Sequence, residues 1–90
     1  MKEMHAVIHG KVQGVWFRAW TQDMARELGV TGWVRNTESG DVEAVCQGTE
    51  AEIGQFLKRL HDGPPLARVT KIDSSMRLAK ETLTSFTVRS

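Results

Sequence analysis

The sequence predicts an α+β domain: an antiparallel sheet with two helices packed on one face, plus a short C-terminal strand. Three observations lead there. Five short segments alternate apolar and polar residues or are bounded by turn residues, as strands are. Two longer segments repeat apolar residues at three- and four-residue steps, as helices do. The order along the chain is β-α-β-β-α-β with one further strand, and helices in that split βαβ order cover one face of the sheet. The 90 residues hold a single domain, 1–90, with no linker and no internal repeat.

The elements follow in turn. Met4 to His9 is a strand with Ala6 and Ile8 on one face and His5, Val7 and His9 on the other. Gly10 to Trp16 is a glycine-punctuated loop. Phe17, Thr21, Met24, Ala25 and Leu28 then form one helical stripe, widened by Trp20, and Gly29 provides the left-handed residue at which a helix stops. Val30 to Asn36 and Asp41 to Gln47 are strands joined into a hairpin by Thr37-Glu38-Ser39-Gly40. Thr49 and Glu52 make a capping box that opens the second helix. Its stripe is Ile53, Phe56, Leu57 and Leu60, and Gly63-Pro64-Pro65 ends it. Gly54 weakens this helix by about 1 kcal/mol relative to alanine. Arg68 to Ser75 is a strand in which the three-residue step from Val69 to Ile72 breaks alternation and admits a bulge. Ser85 to Arg89 is the last, with Phe86 and Val88 on one face. The result is a ferredoxin-like βαββαβ sandwich, a scaffold that does not by itself specify chemistry.

Composition removes several function classes. Apolar residues at 40% and charged residues at 26% exclude a disordered chain. Twelve basic against 11 acidic residues, a net charge of +1, disfavour a nucleic-acid partner beyond a local basic patch. The aromatic signature of RNA-binding sheets is also missing from the third strand. Cys46, the single cysteine, excludes an intramolecular disulfide and a multi-cysteine metal site, and its apolar face makes it an inert core thiol. His5, His9 and His61 form no ligand pair, so no metal is expected. No apolar run approaches the ~18 residues of a spanning helix, and the first residues lack the apolar stretch of a secretory signal. The expected compartment is the cytoplasm, with no membrane partner.

Chemistry concentrates in two segments. Gly10 to Arg18 sets a glycine-rich loop before a helix N-terminus, where backbone N–H groups and the helix dipole attract an anion. Arg18 in the first helical turn is unfavourable for the helix alone, and a guanidinium gripping two oxygens of a tetrahedral anion accounts for it. The plainer alternative is a surface arginine after a tight turn. No Gly-Lys-Ser/Thr follows, so the loop is not that of a nucleotide triphosphatase. Asn36, at the end of the second strand, either orients a water through its amide or caps the turn. Trp16, Trp20 and Trp33 are either a stacking platform for nucleic-acid bases or, as is commoner for tryptophan, core or semi-buried anchors.

Gly10-Lys11-Val12-Gln13-Gly14-Val15-Trp16-Phe17-Arg18 resembles the first signature of the acylphosphatases. Gly32-Trp33-Val34-Arg35-Asn36, followed by Gly40-Asp41-Val42 and Gly48, resembles the second, and Gly63-Pro64-Pro65-Leu66-Ala67 is similar to a later loop of that family. The resemblance covers nearly the whole chain in order. It implies the same sandwich, in a small cytosolic enzyme that hydrolyses acyl phosphates to carboxylate and inorganic phosphate. By position it implies that Arg18 binds phosphate, that Asn36 positions the attacking water, and that the backbone of Gly10, Lys11, Val12, Gln13, Gly14 and Val15 cradles the phosphate. Thr37 matches a position supporting the asparagine. It further implies a monomer with a small-molecule acyl phosphate as substrate, inorganic phosphate as product and inhibitor, and neither cofactor nor metal. The chemistry agrees. A carboxylate leaves readily without an acid, so the lack of Asp, Glu and His in Gly10–Arg18 and Gly32–Asn36 is expected.

Overall fold

Side chains of an extended segment point alternately to opposite sides, so the apolar positions of each strand gather on one side of the sheet. In the computed structural model, which describes residues 1–90, that side carries Met4, Ala6 and Ile8 of β1 (Lys2–Lys11) and Val34 of β2 (Thr31–Asn36). Val42, Ala44 and Cys46 of β3 (Val42–Gln47) complete it. Helix α1 (Phe17–Leu28) buries Phe17, Met24 and Ala25 against this surface, and α2 (Glu50–Asp62) buries Ile53, Phe56 and Leu60. The stripes read from the sequence are the faces that pack. The capping box is formed: Thr49 Oγ1 accepts from the Glu52 N–H at 3.1 Å, and Glu52 Oε1 accepts from the Thr49 N–H at 2.9 Å. No helix is long and apolar enough to cross a membrane.

The strand order is β4-β1-β3-β2-β5, where β4 is Arg68–Leu78 and β5 is Phe86–Arg89. The expected antiparallel pairing holds among β4, β1, β3 and β2, but β5 runs parallel to β2, so the sheet is mixed. Gly32 lies opposite Phe86 and Val34 opposite Val88, which brings the C-terminal strand beside α1. β1 and β4 also pair further than apolar alternation suggested, from Lys2 opposite Leu78 to Lys11 opposite Arg68. Backbone ladders need no apolar side chains, and at this end Arg77 Nε donates to Glu3 Oε2.

The bulge sits where the alternation broke. The register passes from His9 opposite Lys71 to Gly10 opposite Val69, which leaves Thr70 unmatched. There the two backbones close on Gly10, at φ +125°, and a Cβ at this position would lie 2.1 Å from the Arg68 carbonyl oxygen. Gly10→Ala is therefore expected to destabilise the fold by at least about 2 kcal/mol, through a left-handed alanine and a backbone clash. Urea unfolding checks this; a change within about 0.5 kcal/mol would mean that the strand ends move apart freely.

Register also decides where Asn36 lies. It is opposite Val42, which is itself opposite Ile8, so Asn36 ends the row Gly32–Val34–Asn36 on the helix-covered face. The other face is not bare either. Val45 and Gln47 point away from the helices yet are buried, because the segment after β4 folds over them. Gln47 Nε2 donates to Glu3 Oε1 and to the Glu81 carbonyl, both at 2.8 Å, and Gln47 Oε1 accepts from the Leu83 N–H at 2.9 Å. Cys46 is an inert core thiol as expected: burial, with the nearby Glu52 charge adding, pushes it up to about 12.

Candidate active site

The loop between β1 and α1 is anchored by its apolar residues and presents its backbone. Val12 and Val15 are buried in the core, while Gly14 takes φ +73° with open space around it. The chain then enters α1 through Trp16, whose φ of 66° and ψ of 19° make it the sole non-glycine residue in the left-handed region. That conformation costs about 1–2 kcal/mol for a residue with a Cβ. No side chain caps α1 and its first turn holds no acid. Its ladder begins only when the Trp20 N–H donates to the Trp16 carbonyl at 2.9 Å, and none of the N–H groups from Val12 to Ala19 donates to a backbone acceptor. Free donors at the positive end of a helix dipole favour a nearby anion.

Arg18 stands in that first turn, half-buried. It makes no ion pair, and its one protein hydrogen bond is a long one, Nη1 donating to the Arg89 carbonyl at 3.4 Å. Most of the guanidinium's five N–H donors therefore have no acceptor within the protein. Asn36 faces the same cavity, a volume of about 440 Å³ bounded by Val12, Gly14 and the residues from Trp16 to Ala19, with Gln22, Asn36 and Val88. Asn36 Oδ1 is buried and has no hydrogen-bond partner in the protein. An acceptor left so costs about 1–3 kcal/mol, so an unpaired one beside free donors marks a place built for something other than stability.

Gln13 joins the two halves. Its Nε2 donates to the Thr37 carbonyl at 2.9 Å and to the Asp41 carbonyl at 2.8 Å. The β1–α1 loop is thereby tied to the β2–β3 turn, and Arg18 and Asn36 come to share one cavity. Thr37 works on the turn and not on the Asn36 amide: its Oγ1 accepts from the Asp41 N–H at 3.1 Å and lies 3.0 Å from Ser39 Oγ.

Of the expected cradle, Val12 and Gly14 border the cavity, whereas Gly10 and Lys11 are strand residues paired with Val69 and Arg68. Gln13 and Val15 act from behind it, one as a tie and one as an anchor. Three residues of the cavity, Ala19, Gln22 and Val88, were not picked out from the sequence as part of a site. Gln22, whose Nε2 donates to the Phe86 carbonyl at 3.1 Å, was legible in principle as the residue one helical turn beyond Arg18. Val88 was not, since only the parallel docking of β5 brings it there.

Comparison with known proteins agrees over the whole chain. Residues 4–88 match the sequence profile of the acylphosphatase family. An acylphosphatase of Methylococcus capsulatus is 44% identical over 88 residues, which span 98% of this chain and 96% of that protein. The crystal structure of acylphosphatase from Bacillus subtilis superposes with a TM-score of 0.96 at 30% identity, all of each chain being covered. An acylphosphatase structure from Coxiella burnetii gives 0.93 at 39% identity, over 98% of this chain and 92% of that one. Sequence and backbone agree from the first strand to the last, and the chain belongs to the acylphosphatase family of acyl phosphate hydrolases.

Proposed function

We propose that the cavity beside α1 holds the phosphoryl group of a small-molecule acyl phosphate. The N–H groups of the β1–α1 loop from Val12 onward, and those of the first turn of α1, cradle its oxygens, with Gly10 and Lys11 holding the loop's entry in β1. Arg18 bridges two of them, and Asn36 aligns the attacking water. The observation that carries this reading is the meeting, at one cavity, of uncapped N–H groups, an unpaired arginine and a buried amide oxygen without a partner. Water adds to phosphorus as the bond from phosphorus to the carboxylate oxygen breaks, and the carboxylate leaves with the bonding electron pair. No carboxylate or imidazole of the chain borders the cavity, so the water's proton passes to a phosphoryl oxygen and leaves with the phosphate product. The gain comes from preorganised dipoles and position, the terms that dominate when the leaving group needs no help. Thr37 supports Asn36 through the turn that follows it. We propose further that the protein acts as a monomer in the cytoplasm, for which the lone buried thiol and the absence of a spanning helix are suitable.

Two results are expected. Inorganic phosphate inhibits competitively and raises the Tm, by about 2.7 kcal/mol of added stability at 100 times its Kd. Sulfate does the same, and chloride at matched ionic strength does not. The shift is lost in Arg18→Ala and kept in Asn36→Ala; equal shifts with phosphate and chloride would reduce the loop to a turn. Turnover of acetyl phosphate is also expected to survive dialysis against a chelator in full. Loss of activity restored by a divalent ion would replace this mechanism with a metal-assisted one.

A further inference from the structure

The most exposed tryptophan of the chain stands at the rim of this cavity. Trp16 is 80% exposed, whereas Phe17 beside it is buried and Trp20 is half-buried against the core. Its left-handed backbone sets it apart from the buried stripe of Phe17, Thr21, Met24 and Ala25. Both features oppose stability, since an indole in water and a non-glycine residue at φ 66° are each unfavourable. Glycine at position 16 would relieve both, so the fold does not ask for tryptophan there. The cavity supplies a reason. Its volume of about 440 Å³ lies in the range of sites enclosing whole organic molecules, roughly 300–1,000 Å³, and is far more than a phosphate fills. Its polar groups are Arg18, Asn36 and Gln22 with the loop backbone, and the remainder of its border is apolar, with Trp16, Ala19 and Val88 at exposed positions.

We propose that Trp16 is the acyl-group platform of this enzyme, and that its preferred substrates carry a flat, aromatic acyl group lying between the indole and Val88. The inference rests on the placement of the phosphoryl group proposed above. With that group held by the α1 N-terminus and Arg18, the acyl end is left to the apolar border. An indole face stacks on an aromatic ring and gains little from a methyl group. Trp16 thus acts on ground-state binding of the acyl end and takes no part in bond cleavage.

The test compares benzoyl phosphate with acetyl phosphate for the wild type, Trp16→Gly and Trp16→Phe. The ratio of kcat/KM for benzoyl over acetyl phosphate is expected to fall about tenfold in Trp16→Gly, chiefly through KM for benzoyl phosphate. Trp16→Phe, which keeps an aromatic face, retains most of the preference. Trp16→Gly should melt at or above the wild-type Tm, since glycine accepts the backbone conformation. An unchanged ratio, or an equal loss for both substrates, makes Trp16 a part of the loop and nothing more, and overturns the inference while leaving the phosphoryl site intact. A wild-type protein that turns over neither substrate overturns the placement of the phosphoryl group, and this proposal with it.

Discussion

Arg18→Lys is expected to lose turnover almost as completely as Arg18→Ala, with kcat/KM falling more than about 1,000-fold in both, the scale set by arginines that stabilise phosphoryl charge. Lysine keeps the charge but not the planar fork that holds two oxygens at once. Arg18 is free to do this: it has no carboxylate partner and only the 3.4 Å contact to the Arg89 carbonyl. It also sits where the helix alone would prefer an acid, and α1 has none in its first turn. Because no ion pair is broken, both variants should fold with a Tm near that of the wild type. Steady-state kinetics with acetyl phosphate, alongside phosphate inhibition, read the effect. A lysine variant with near wild-type kcat/KM would rule out a bidentate grip as the essential role.

For Asn36→Ala we expect kcat to fall at least about 100-fold with little change in KM, the pattern of an interaction made only in the transition state. The same variant should hold or raise its Tm, because Oδ1 is a buried acceptor without a protein partner and its removal deletes an unmet group. A residue that lowers stability yet governs rate serves the reaction; one that merely caps the turn would show the reverse. The structure already weakens the capping alternative, since the turn is held by Thr37 Oγ1 with the Asp41 N–H and by Gln13. If KM rose while kcat held, Asn36 would be a substrate contact and the water would need another partner.

The two variants test groups that lie far apart in the sequence, and that distance divides what the sequence determined from what the tertiary structure decided. Local patterns were legible. The stripes Phe17–Thr21–Met24 and Ile53–Phe56–Leu60, the capping box of Thr49 and Glu52, and the break in alternation after Val69 all act within a few residues, and all formed. The uncapped, acid-free start of α1 beside Arg18 was legible for the same reason. Whether Asn36 faced the helices or the turn was not, because a strand's two faces are assigned only when its neighbours' register is known. The burial of Val45 and Gln47 required a segment more than thirty residues away in the chain to fold over them, as the contact of Gln47 with Leu83 shows. Val88 and the direction of β5 followed from parallel pairing with β2, which carries no local signal. Gly10 and Lys11 read as cradle but are strand, since a glycine at φ +125° lets β1 run on against β4 where a turn was expected. Periodicity reports the contacts a residue makes within its own element. The proposed site is an agreement between elements, joined by the Gln13 amide reaching two carbonyls of the β2–β3 turn, and only the packed chain brings those partners within hydrogen-bonding distance.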